Sequence, residues 1–338
     1  MQMNTIFILL SCLGLLQFNI VSDFESSDDD WEKICDRVKD IPFPTEDLPT
    51  SEDIKALDTC SSEDLYYGIG MPADPVKARL CAYIEMQKGE DLGFGGAAML
   101  MTIYANGVGA KRNFELAIKF ACLAGGAPAE VQGRVEHLEE LKKQNWQGHD
   151  FSICDDITSG YMQGMCAAHV ERIADVEREN QVRELISKWS NNDKTAYNVL
   201  RKAADRFFNT REENEIDLSG TGRAAFQIEE RASLEEDFIE TLKKIDRGEA
   251  PKYSEQEFKN ADTKLNVVYK NIQKVIDFDM GTVTKTGITI TEREWIKYRG
   301  AWVSFCKVKY PSINEISIKT LLTEKRIKML EEIYDNSY

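Results

Sequence analysis

The chain is poor in turn-forming residues. Eight prolines and 21 glycines across 338 residues disfavour an all-β fold, which needs a turn every 8–12 residues or so. There is no basic surplus: 42 Lys and Arg stand against 58 Asp and Glu, a net charge of −16. Binding to nucleic acid is thereby disfavoured, because phosphate neutralisation needs clustered cations and no cluster is present. Zinc pairing is also missing. No CxxC occurs, and His137, His149 and His169 are scattered; only Cys166-x-x-His169 hints at ligation, without a second pair at zinc spacing. GxSxG, HExxH, Walker and dinucleotide-binding patterns are all lacking. Neither a metal, a cofactor nor a small-molecule substrate is expected. Asp155-Asp156 and the Glu-rich faces read as solvated surface, and His169 reads as a helix-surface histidine rather than a ligand or base.

Long apolar runs are equally scarce. Ile6–Leu10 and Leu13–Leu16 form a short stretch interrupted by Ser11, Cys12 and Gly14, too short for a membrane span. It leads directly into the acidic run Asp23–Glu32. Residues 1–22 therefore read as a cleaved signal peptide, ahead of a lipoprotein attached through Cys12 and of a membrane anchor. The expected location is periplasmic or secreted, and export makes disulfides the default state of the remaining cysteines. These number seven, so at least one thiol is free or pairs between molecules.

What is present is helical. Residues 23–50 are acidic and carry Pro42, Pro44 and Pro49; they read as a tether with one short helix near Trp31–Val38. An internal repeat follows over 51–145. Gly68-Ile69-Gly70, Asp74 and Ala78 recur as Gly107-Val108-Gly109, Asn113 and Ala117, each displaced by 39 residues. Tyr66/Tyr67 precede the glycines in one unit and Tyr104 in the other. The glycines permit a tight turn, Asp74 or Asn113 caps the next helix, and alanine allows close packing, which is the physics of an αα-hairpin. Gly125-Gly126-Ala127-Pro128 starts one further helix to about Lys143. Cys60 and Cys81 lie almost equidistant from the first turn and are expected to face each other as a disulfide.

Beyond residue 150, helices are predicted over 156–188, 193–215, 222–246, 254–278, 290–309 and 317–336. Phe226, Leu234, Phe238, Leu242 and Ile245 mark the apolar stripe of the third. Residues 280–291, rich in threonine and glycine, are predicted to form a loop or small hairpin. Asp262, Leu265, Asn266 and Tyr269 share one helix face, as do Trp295, Tyr298, Arg299 and Trp302, and Leu322, Arg326 and Leu330. Asp262 is the expected partner of Arg299, with Asn266 taking its leftover donors, in a polar core that includes Tyr269 and Arg326. Trp295, Arg299 and Trp302 read first as core architecture and second as a recognition surface.

The hairpins resemble Sel-one-like, tetratricopeptide-like repeats over about residues 60–125. The C-terminal strings D-x-x-L-N-x-x-Y (262–269), W-x-x-Y-R (295–299) and R-x-x-x-L (326–330) resemble the LprI-type lysozyme-inhibitor domain, over 251–338. A C-x(11)-C opening at Cys154 and Cys166, which starts a first helical segment over 150–250, is also similar to that family, and 170–250 reads as an insertion or a degenerate first copy ahead of the D-x-x-L-N element. The resemblance implies a Cys154–Cys166 disulfide. Cys166–Cys306 is the alternative, and Cys35 and Cys122 are unassigned. The expected fold is all-α: N-terminal αα-hairpin repeats packed on a C-terminal helical bundle. The resemblance further implies a non-enzymatic envelope protein with a protein partner, a cationic lysozyme, which an acidic surface would steer; the loop with Lys285 is the expected probe of a cleft that works through two carboxylates. The alternative is a periplasmic scaffold that binds through its repeats.

Overall fold

The computed structural model describes residues 30–89, 93–276 and 278–337. The expected signal peptide and Cys12 lie outside them. The fold is all-α, with no strand among the described residues. The helices are α1 (Asp30–Val38), α2 (Ser51–Ala56), α3 (Ser62–Tyr67), α4 (Pro75–Lys88), α5 (Gly96–Asn106), α6 (Phe114–Leu123) and α7 (Pro128–Lys143). There follow α8 (Gly160–Ser187), α9 (Asn191–Asn214), α10 (Arg223–Asp246), α11 (Glu255–Lys274), α12 (Lys285–Lys309) and α13 (Glu315–Asp335).

The sequence repeat is a repeat of hydrogen bonds. Gly68 ends α3 in the left-handed conformation and Gly107 ends α5 the same way. The Asp74 amide donates to Leu65 O at 2.7 Å, and 39 residues later Asn113 donates to Tyr104 O at 3.0 Å. Each cap side chain then accepts from an amide in the first turn of α4 or α6, satisfying a donor that a helix start leaves open. Ala78 and Ala117 are fully buried where the helices meet. A Cβ on Gly109 would stand 2.2 Å from the Pro75 carbonyl oxygen, so the second turn lies directly on the start of α4.

The segment expected to be a tether is packed instead. Val38 is fully buried, the Phe43 ring stacks on Phe120 at 5.2 Å, and the Tyr104 hydroxyl donates to Asp47 at 2.8 Å. A disulfide joins Cys35 on α1 to Cys122 on α6. The pairing escaped the sequence reading because an acidic, proline-containing stretch shows no periodicity. Two other disulfides join Cys60 to Cys81 and Cys154 to Cys166. Cys306 is buried and has no disulfide partner among the described residues, and burial pushes its thiol up to about 12.

Two apolar cores result. The first gathers Tyr83, Tyr104, Phe120 and Leu138, with Met162 and Cys166 from the start of α8. The second gathers Phe207, Phe238, Leu242, Trp302, Phe305 and Leu330, with Val182 and Ile186 near the end of α8 packed against it. α8 has 28 residues, about 42 Å at 1.5 Å per residue, long enough to serve both. The boundary expected at 250/251 does not divide cores, because α9 packs along α12 and α10 contributes to the same interior. Phe226 departs from its expected stripe: Leu234, Phe238, Leu242 and Ile245 are buried, whereas Phe226 is 47% exposed.

Candidate functional site

α12 begins at Lys285, within the segment expected to be a loop. Thr284 accepts the Gly287 amide at 3.0 Å as N-cap. The β-branched threonines then turn their hydroxyls onto the helix: Thr289 donates to Lys285 O at 2.9 Å and Thr291 to Gly287 O at 3.1 Å. Gly287 is needed because a Cβ there would come within 2.9 Å of Asn214 on α9. Of that segment only 280–284 lies outside α12. Lys285 is half-buried and donates its Nζ to the Val275 carbonyl, so it clamps the α11–α12 link instead of projecting as a probe.

Arg299 reaches both neighbouring helices. Its guanidinium lies 3.7 Å from Asp262 on α11 and donates to Thr323 Oγ1 on α13 at 3.0 Å. It also covers the Trp295 ring at 4.6 Å. The Asp262 side chain is 44% exposed and that of Arg299 18%, so the pair is worth about 1 kcal/mol or less. It is not a buried polar core. Asn266 is exposed and donates back to Asp262 O at 2.7 Å; it does not serve Arg299. Tyr269 meets Thr289 at 2.8 Å. Trp295 and Trp302 are 2% and 0% exposed. A recognition surface needs a ring that a partner can touch, and the structure places both indoles in the core, because their stripe faces α9 and α10 across Phe207 and Phe238.

The buried charge belongs to Arg326. Fully enclosed, it donates to both oxygens of Glu215 at 2.7 and 2.6 Å and through Nε to Glu292 at 2.9 Å. Glu215 also accepts from Arg211 at 2.9 Å, and Arg211 pairs in turn with Glu230. Burial pushes the Glu292 carboxyl above its usual range, against the opposing charge of Arg326. This bidentate geometry satisfies a guanidinium that could not otherwise leave water. The cavity beside it measures about 10 Å³, room for one water at most. Glu215 and Glu292 were missed. A signal for Glu292 does exist, since it sits on the stripe Ile288, Trp295, Trp302 at helical spacing, where a solvated glutamate has no place.

His169 also departs from expectation. It is buried, stacked on Phe94 at 3.8 Å, with Nδ1 2.6 Å from Glu63, and so joins α8 to α3. Asp155 caps the Ser152 amide, and Asp156 meets His137 at 2.9 Å. No group of three metal-ligating side chains occurs among the described residues, and no described helix is long and apolar enough to cross a membrane.

The accessible surface therefore carries whatever recognition takes place. On the α11–α12 seam it presents Asp262, Asn266, the outer edge of Arg299 and Ile296, the last 51% exposed. Between α8, α9 and α10 lies a cleft of about 630 Å³. There Arg201 and Arg231 both bind Glu235; burial alone would raise Glu235, but the two guanidiniums outweigh it and hold its carboxyl below the usual range. These features define a disulfide-braced, all-α protein whose C-terminal helices are joined by a buried arginine–carboxylate network centred on Arg326. Within it, residues 245–330 match the family model described as Lysozyme inhibitor LprI, in agreement with the resemblance of the C-terminal strings. No curated protein and no solved structure matches the chain.

Proposed function

We propose that the chain is an exported, non-enzymatic envelope protein that binds and restrains a cationic lysozyme, and that the α11–α12 seam takes part in the contact. The observation carrying this reading is the family match over 245–330. The net charge of −16 supports it, since an acidic protein meets a cationic one with a faster encounter rate. Three disulfides support an oxidising compartment, periplasmic or extracellular. We read the two hairpins as Sel-one-like repeats that brace the bundle.

The seam is chosen because it holds the accessible members of the sequence strings, Asp262, Asn266 and Arg299. Ile296, three residues before Arg299 on α12 and exposed, supplies apolar area. The decisive experiment is a cell-wall lysis assay with purified protein and an animal-type lysozyme at low ionic strength. Inhibition at micromolar concentration is expected. Ile296→Lys, on an exposed position, is expected to weaken it at least tenfold through like-charge repulsion and lost apolar contact. Unchanged lysis with the unsubstituted protein ends the proposal.

A further inference from the structure

α8 and α10 leave between them an open groove of about 490 Å³ beside the Cys154–Cys166 disulfide. It lies outside the segment that matches the inhibitor family. Its walls include Ile157, Ala167, Val170, Ala225, Phe226 and Ile228. Isolated exposed apolar side chains are ordinary, but here Val170 and Phe226, 62% and 47% exposed, flank one concavity. The charged residues lining it are Glu171 and Glu229, without a cation.

Phe226 has a second neighbourhood. Together with Ile216, Asp217, Glu229 and Glu230 it lines an adjoining depression. The carboxylates there differ in their partners. Glu171 is paired with Arg178 and Glu230 with Arg211. Asp217 and Glu229 have no Lys, Arg or His within 4 Å among the described residues. Asp217 accepts from the Ser219 amide at 2.9 Å and the Thr282 amide at 3.1 Å, bonds that favour its ionised form. Arg223, one turn before Phe226, directs its guanidinium to the Gly220 carbonyl at 3.1 Å. An exposed aromatic ring thus stands between an apolar trough and two carboxylates without a counter-ion.

We propose that this groove docks a basic, partly apolar polypeptide segment. An aliphatic or aromatic side chain fills the trough beside Val170, and a lysine or arginine lies over the Phe226 ring against Asp217 and Glu229. Each part matches known physics: apolar contact at the centre with polar groups at the rim, a cation on an aromatic face, and charge-assisted bonds to carboxylate. An acidic segment would meet only like charge. The proposal does not depend on lysozyme being the partner.

The test uses the purified chain and a short fluorescent peptide of alternating lysine and leucine, followed by anisotropy, with a glutamate–leucine peptide as the comparison. The basic peptide is expected to bind and the acidic one not. Glu229→Lys and Phe226→Ser are each expected to weaken binding about tenfold, roughly 1.4 kcal/mol, and rising salt to weaken it further in the unsubstituted chain. Both positions are exposed, and Val170→Ser provides an independent variant should either fail to fold. Absence of binding, equal binding of the acidic peptide, or affinity unchanged by all three substitutions overturns the inference. Lysozyme inhibition measured on the same proteins reports the α11–α12 seam separately, so either reading can fail alone.

Discussion

At the scale of single residues, Arg326 and its carboxylates dominate. Removing one member of a buried ionic group costs more than the group contributes as a whole, because the remaining charge is stranded away from water. Glu215 keeps Arg211 if Arg326 is lost, so the stranded charge is that of Glu292. Arg326→Met is expected to lower unfolding free energy by about 3 kcal/mol or more, measured by urea denaturation, and adding Glu292→Gln is expected to restore part of it. The Glu292 carboxyl is already raised by burial, so the folded single variant takes up a proton more readily than the unfolded chain. Its deficit should shrink as pH falls toward the ordinary glutamate value of 4.5. Glu315 titrates with the opposite sign. Hydrogen bonds from Lys307 and Lys319 hold it down at about 2, so its contribution is present above 4.5 and lost as pH falls from there to 2. Melting curves across that window should flatten in Glu315→Gln; an unchanged acid limb contradicts this.

At the scale of elements, the same motif can be tolerant in one copy and strict in the other. Gly70 and Gly109 hold equivalent places in the repeated GxG, at φ +73° and +89°. Nothing stands near a Cβ on Gly70, whereas one on Gly109 meets the Pro75 carbonyl oxygen at 2.2 Å. Gly70→Ala is expected to cost about 1 kcal/mol for the left-handed backbone, and Gly109→Ala about 3 kcal/mol, since overpacking adds to it. Equal melting temperatures for the two variants would mean that the hairpins do not stack as described. The repeat was legible because both units need the same turn chemistry. The start of α12 was not, since threonine and glycine at 280–291 favour a loop locally, and only the Thr284 cap and the approach of Gly287 to Asn214 tip the balance toward helix.

For the whole molecule, the disulfides divide the work by the length of chain they close. Cys35–Cys122 spans 87 residues, Cys60–Cys81 spans 21 and Cys154–Cys166 spans 12. Chain-entropy estimates give about 4.6 kcal/mol for the first and about 3 kcal/mol for each of the others. Paired Cys→Ser substitutions are therefore expected to destabilise most at Cys35–Cys122, by denaturant titration, and to free α1 and the strap through Asp47 for proteolysis. A protein whose strap resists protease after that substitution would show that packing of Phe43 and Val38 suffices without the bond. The long α8 gives the molecule its second connection, since it contributes Met162 to one core and Val182 to the other.

Period and local chemistry determined most of the helices, the two hairpins and the closeness of Cys60 to Cys81, because each follows from spacing along one helix or across one tight turn. The partners of Arg326, the enclosure of Trp302 and the exposure of Phe226 were decided only by tertiary structure. Glu215 lies 111 residues from Arg326, and no local rule distinguishes it from the other glutamates of an acidic chain. Burial is a property of what packs against a face, and a stripe of aromatic residues reads the same whether a neighbouring helix or a partner protein covers it.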